Sequence, residues 1–405
     1  MSNQLSNKYG NSLFVFCGGG CKAIIQAVVA AELVQAGLHP THIVSSSAGT
    51  CNALGFVETP GAIGAEKTLR IWEDYINSPD AIYEIHPFLR EKLARLLEVV
   101  PQVAQGLGPS SSMLHDFRRA IKFLPLVMSL CVRMPFRVAG RTVSFLFRLM
   151  DAFASPHKSF RRLVQAPEIQ TTLDEVDKYF ELQQMKALLD PFPLLTRLAE
   201  QIDLQKVLAS PIVWKIVAER YEDGATVVFS NKDPDLIMDG SDDGRSLKAK
   251  QDLFVKRIRA SMALYPLFEL VEIDGYRYLD ADLANPLPIE EAFSCGCETV
   301  FIFLNMPRQT VRIEPYPLRD LLELNAFLRL NERYIHHRVK EAQVKAKELG
   351  VNLFVISPDV IPSGLGLLEI DQKVIEYVKT HERKRMKDYL ANLDAHNLRF
   401  AAPIR

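Results

Sequence analysis

The stretch Thr41-His42-Ile43-Val44-Ser45-Ser46-Ser47-Ala48-Gly49-Thr50 restricts the fold more than any other. A short β-type run, His42 to Val44, stops at three serines, then small residues, then the helix-compatible Asn52-Ala53-Leu54. Strand, sharp turn and helix in that order form a nucleophile elbow. The side chain at the turn is exposed, and the next helix aims its positive N-terminus at it. Small neighbours are needed because the turn brings strand and helix together. On the template G-x-S-x-G the nucleophile is Ser47, Gly49 is the second glycine, and Ser45 stands where the first would be. The same letters also suit an ordinary helix N-cap, in which a serine hydroxyl accepts from free backbone N–H groups.

Upstream, Leu13-Phe14-Val15-Phe16 is a run fit for a buried strand. It ends at Cys17-Gly18-Gly19-Gly20-Cys21-Lys22, after which Ile24 to Ala36 reads as a helix closed by Gly37. Residues 13–60 thus read as a βαβ unit whose two strand-to-helix turns share one edge of a parallel sheet. That edge is where α/β proteins place ligands. Successive glycines let neighbouring N–H groups converge on one point, which suits a phosphate or a developing oxyanion. The loop departs from G-x-G-x-x-G, with Ala23 where the last glycine belongs, and from G-x-x-x-x-G-K-[ST]. The oxyanion reading fits the spacing better. One helix and one strand separate Gly20 from Ser47, as expected for a loop and a nucleophile on neighbouring strands.

The 405 residues suffice for one large or two ordinary domains, and 48% are apolar, enough for a sizeable core. Charges nearly cancel, with 48 Lys+Arg against 49 Asp+Glu, so overall charge points to no nucleic-acid partner. The six cysteines read as reduced thiols. Cys295 and Cys297 lack a second pair at zinc-site spacing, and neither metal nor cofactor is expected. Residues 1–12 lack the basic start and apolar core of a signal peptide. No apolar run approaches the ~20 residues that span a bilayer. The expected location is cytoplasmic.

From Arg118 to Arg162 the composition shifts to ten Lys or Arg against one acid, Asp151, interleaved with apolar runs such as Phe123–Met128 and Val143–Phe147. This alternation suits helices lying on an anionic membrane surface, and equally a packed helical pair with a solvated basic face. Residues 163–222 read as helix-rich. Ala225–Phe229 reads as a strand, and Phe268–Ile273 with Tyr276–Leu279 as a hairpin across Asp274-Gly275. The hairpin runs into Asp280-Ala281-Asp282 and then Leu-Ala-Asn-Pro-Leu-Pro. An acid at a strand end, followed by small residues and prolines, reads as a carboxylate fixed rather than buried. A buried strand follows at Thr299–Leu304, then an amphipathic stretch Leu318–Leu349, a last strand Leu353–Ile356 and a helix from about Asp371 to Leu393.

Assembled in this order, these pieces resemble the patatin-like phospholipases. Three signatures carry the resemblance: the loop Gly18-Gly19-Gly20-Cys21-Lys22, the elbow Ser45-Ser46-Ser47-Ala48-Gly49, and the acid turn Asp280-Ala281-Asp282. The segment Ile258 to Phe268 also resembles the stretch that the family places before its acid hairpin. The resemblance covers residues 13–60 and about 225–305 and is not evident in 90–220. Four positions depart from the family pattern: Ser45, Ala23, Ala281 and Asp282 stand where it shows glycine. Two carboxylates two residues apart on a turn repel and raise the pKa of one, and Asp282 rather than Asp280 is the alternative partner for the serine.

The resemblance implies a three-layer α/β/α sandwich with a mainly parallel central sheet. The acyl hydrolase domain would span 9–310 with a helical, basic-apolar insertion at about 90–220. A mainly helical region, 311–405, would pack on the same domain. It further implies a lipid substrate and a Ser–Asp dyad without histidine: Ser47 as nucleophile, Asp280 as base, Gly18–Gly20 as oxyanion hole. Lys22 would meet an anionic headgroup or orient the loop. Residues 118–162 would touch the membrane. Two other readings stay open. One is an α/β-hydrolase triad drawing on His336, His337, His381 or His396. The other is a lipid-binding or regulatory protein of the same fold that no longer turns over.

Overall fold

The computed structural model describes residues 4–87, 186–236, 244–307 and 325–399, apart from positions 188, 202, 266 and 284. The strands are β1 (Ser12–Phe16), β2 (His42–Ser46), β3 (Glu84–Ile85), β4 (Leu189–Asp190), β5 (Val213–Arg220), β6 (Thr226–Ser230), β7 (Val271–Ile273), β8 (Tyr276–Asp280), β9 (Thr299–Phe303) and β10 (Asn352–Ile356). Eight of them form one sheet in the order β10-β9-β1-β2-β5-β8-β7, with β6 also on β5. The short β3 and β4 pair separately. From β10 to β5 all neighbours are parallel, while β6, β7 and β8 enter antiparallel.

Side chains of successive strand residues point to opposite faces, and the sequence uses that alternation to separate two cores. Phe14, Phe16, Phe301, Phe303 and Phe354 fill one face, with Phe16 stacked on Phe56 and on Phe303. Leu13, Val15, Val44, Val300, Ile302, Leu353 and Val355 fill the other. Each fully buried side chain of this size contributes about 2 kcal/mol. Helices Ala23–Gln35, Gly49–Glu58 and Gln372–Ala391 cover the aromatic face, and Ile289–Phe293 and Asn325–Leu349 the aliphatic one. The result is a three-layer α/β/α sandwich around a mostly parallel sheet. Ala23–Gln35 is apolar nearly all round because Gln372–Ala391 lies over it, tied by Arg383 to Glu32 at 3.1 Å. That places the glycine loop at the head of an interior helix.

The helix-rich reading of residues 163–222 fails at its end. Val213–Arg220 is a strand of the central sheet, so a helical insertion cannot reach 220. Its alternation Val-Trp-Lys-Ile-Val-Ala-Glu-Arg is blurred by Lys215, whose ammonium reaches the Ser294 hydroxyl at 3.1 Å. The C-terminal region also supplies β10 to the sheet. The basic segment 118–162 lies outside the described residues. Among the described residues, no helix is long and apolar enough to cross a membrane.

Candidate active site

Strand β5 explains how two distant turns meet. β6 pairs with it along Lys215–Glu219, overlapping the positions used by both β2 and β8. A strand has two edges, so β6 takes one and β2 and β8 share the other. On the shared edge Ser46 lies opposite Val217 and Asp280 opposite Ala218. β2 runs parallel to β5 and β8 antiparallel, so their C-terminal ends meet head to head.

Ser47 follows directly with φ +50°, a left-handed conformation rare for a residue with a side chain. The strained turn is held by its N–H, which donates to the Ser261 carbonyl at 3.1 Å and the Ser261 hydroxyl at 3.0 Å. The Ser261 hydroxyl in turn donates to the Val217 carbonyl at 2.6 Å. The next helix begins at Gly49 with Ala48 at its cap and no side-chain cap bond, so the three serines are not an N-cap. Gly49 must be small, because a Cβ there would lie 2.6 Å from the Phe16 carbonyl oxygen. Ser45 is tolerated in place of glycine because its buried hydroxyl accepts from the Trp214 indole N–H at 2.8 Å.

Asp280 is fixed, as the sequence suggests, but it is also buried, at 1% exposure. Its N–H donates to the Ala263 carbonyl at 3.0 Å. The carboxyl lies near enough to the Ser47 hydroxyl for that group to favour its ionised form, and its Oδ1 accepts the Asp282 N–H at 2.9 Å. Burial first, and the Asp282 charge second, push its pKa well above the ordinary carboxylate range, against the pull of Ser47 and the Asp282 N–H. Asp282 is held by the glycine loop and the serine before the elbow. Its Oδ1 accepts from the Ser46 hydroxyl at 2.7 Å and from the Gly18 N–H at 3.2 Å. Burial raises it to about 6.

The glycine loop leaves β1 at the same edge. Gly19 (φ +124°) and Gly20 (φ +59°) adopt backbone geometry that a side chain resists. The loop is braced on all sides. Gln26 Nε2 donates to the Cys17 carbonyl at 2.9 Å, the Asn305 amide donates to the Gly18 carbonyl, and Cys21 N–H donates to the Leu367 carbonyl at 3.0 Å. Among the described residues, the Gly19 and Gly20 N–H groups donate to no protein acceptor, whereas that of Gly18 is taken by Asp282. Lys22 opens the following helix, half-buried.

The structure thus brings together Ser47, Asp280, Asp282 and Gly18–Gly20. Among the described residues it brings no histidine to Ser47, whose hydrogen bonds run to Ser261 and its own helix. His337 pairs with Glu341, His381 stacks on Tyr377 and His396 on Tyr389. Three supporting residues escaped the sequence reading. Ser261 sits inside the Ile258–Phe268 segment already singled out. Asn305 is a polar residue just past a buried strand, at the edge where ligands are expected. Leu367 acts through its carbonyl, so no side-chain signal exists.

Fold and site together define a three-layer α/β protein with a serine elbow set against a buried carboxylate. The chain belongs to the patatin-like phospholipase family, whose model matches residues 14–293. Membership places it among the lipid hydrolases. No curated protein matches the chain. Among solved structures it is similar to VipD from Legionella pneumophila, at 12% identity and a TM-score of 0.33, covering 95% of this chain and 67% of that one. It is also similar to full-length ExoU, solved with SpcU, from the type III secretion system of Pseudomonas aeruginosa. There the identity is 14% and the TM-score 0.27, covering 94% of this chain. This chain spans only 52% of that structure's chain.

Proposed function

We propose that this chain cleaves carboxylic ester bonds of lipids, as a phospholipase A or lysophospholipase, through a Ser47–Asp280 dyad. The observation that carries the proposal is a strained elbow serine set beside a buried carboxylate where two strand ends meet. In the proposed reaction Ser47 Oγ attacks the ester carbonyl carbon and its proton passes to Asp280. The carbonyl oxygen becomes an oxyanion held by glycine-loop N–H groups, each such donor being worth about 3 kcal/mol. The C–O bond to the alcohol then breaks, and the leaving oxygen takes the proton from Asp280. Water, deprotonated by Asp280, attacks the acyl-Ser47 ester. The fatty acid leaves and the proton returns to Ser47 Oγ.

Lipid-hydrolysis profiling of the wild type beside Ser47→Ala tests this directly. Release of fatty acid is expected to fall to the background in the variant, while alanine at His336, His337, His381 or His396 leaves it in place. Activity retained by Ser47→Ala would overturn the dyad. Activity lost with one of the histidines would favour a triad.

Peripheral docking on anionic membranes through residues 118–162 belongs to the same proposal. Basic side chains near an anionic leaflet contribute about 1 kcal/mol each. Changing Arg133, Arg137 and Arg141 to Glu is therefore expected to lower co-sedimentation with phosphatidylserine vesicles by at least tenfold, and unchanged binding would count against docking there.

A further inference from the structure

Asp282 is left over from the dyad. Its carboxylate lies inside the glycine loop's reach: Oδ1 accepts from the Gly18 N–H and the Ser46 hydroxyl. Oδ2 occupies the space a side chain at position 18 would take, 1.7 Å from that ideal Cβ, and the Ser47 Cβ is 2.5 Å from the same point. An acid oxygen seated on a backbone N–H beside a nucleophile is chemically what the cradle would hold during acyl transfer, a negative oxygen on preorganised donors.

We propose that Asp282 is a resident occupant of the anion cradle, a competitor that an ester's carbonyl oxygen must displace before Ser47 reacts. The inference rests on the dyad and the glycine loop being the hydrolytic centre. Two features make displacement feasible without rebuilding the site. The backbone of Asp282 is anchored separately, its N–H on Asp280 Oδ1, so only the side chain has to swing. The Ser46 hydroxyl is a rotor that can follow it or turn away. While it stays, the carboxylate costs the reaction twice. It withholds the Gly18 donor, and its charge opposes a second negative oxygen at close range. Asp282 therefore sets how fast Ser47 responds to an acyl group, and the folded enzyme idles with the Gly18 donor of its cradle taken.

The test measures second-order labelling by a fluorophosphonate, whose adduct places a phosphoryl oxygen in the cradle, together with hydrolysis of p-nitrophenyl butyrate. The proteins are the wild type, Asp282→Gly, Asp282→Asn and Ser47→Ala, with far-UV circular dichroism as the check on folding. Asp282→Gly frees the Gly18 donor and is expected to label about tenfold or more faster than wild type. Asp282→Asn keeps the shape, loses the charge, and is expected to fall between; it decides the matter if the glycine variant does not fold. If neither folded variant labels faster than wild type, Asp282 is not a competitor and the proposal fails. Labelling that persists in Ser47→Ala would instead overturn the hydrolytic centre itself.

Discussion

Asp280→Asn is expected to lower ester turnover by about 10³-fold or more and, at neutral pH, to raise the melting temperature. The first effect follows from removing the proposed base beside Ser47. The second follows from burial. Asp280 is desolvated and lies beside a second carboxylate, so its folded-state pKa stands well above 3.8. Below pH 4 the group is protonated in both folded and unfolded chains and costs nothing. As pH rises from the unfolded-chain pKa towards the higher folded pKa, the unfolded chain gives up its proton while the native state still holds one, and stability falls until both are ionised. The neutral amide removes that penalty while keeping an oxygen to accept the Asp282 N–H. The gain in melting temperature should accordingly be larger at pH 8 than at pH 4. Turnover should carry the same signature: kcat/KM of the wild type drops on the acid side with a midpoint above the ordinary carboxylate range. A variant that retains activity, or an acid limb near pH 4, would separate Asp280 from the base.

Gly20→Ala is the second large effect, expected at about a 10²-fold loss of turnover with the sheet intact. At φ +59° the added Cβ is strained, and it would lie 1.9 Å from the Leu367 carbonyl oxygen, which is backbone and cannot rotate away. Relief requires the loop and the 364–370 segment to part. That breaks the Cys21 to Leu367 hydrogen bond that sets the direction of the Gly19 and Gly20 N–H groups. Strain of this kind costs about 1–3 kcal/mol, so a modest fall in melting temperature should accompany the loss. Unchanged kinetics would show that the glycine loop takes no part in the reaction.

These expectations show how much of the molecule its sequence carried. The βαβ unit, the elbow and the acid hairpin were legible because each is local: apolar runs broken by Gly18–Gly20, Ser45–Gly49 and Asp274-Gly275. Strand β5 was not. Its charged residues Lys215, Glu219 and Arg220 hide the strand period, and the edge it offers to both β2 and β8 is set by pairing with partners far along the chain. The choice of Asp280 over Asp282 to face Ser47 is also non-local. It depends on register against Ala218 and on the Gly18 N–H that draws Asp282 aside. The braces from Ser261 and Leu367 use backbone atoms, which every residue carries, so only coordinates reveal them.

Mass-spectrometric mapping of the fluorophosphonate adduct tests the central claim most directly, since it reads which atom is the nucleophile without assuming a lipid. The expected result is a single adduct on Ser47, formed faster as pH rises through the elevated Asp280 ionisation and absent from Ser47→Ala. An adduct on another residue, or labelling of Ser47 undiminished in Asp280→Asn, would contradict it.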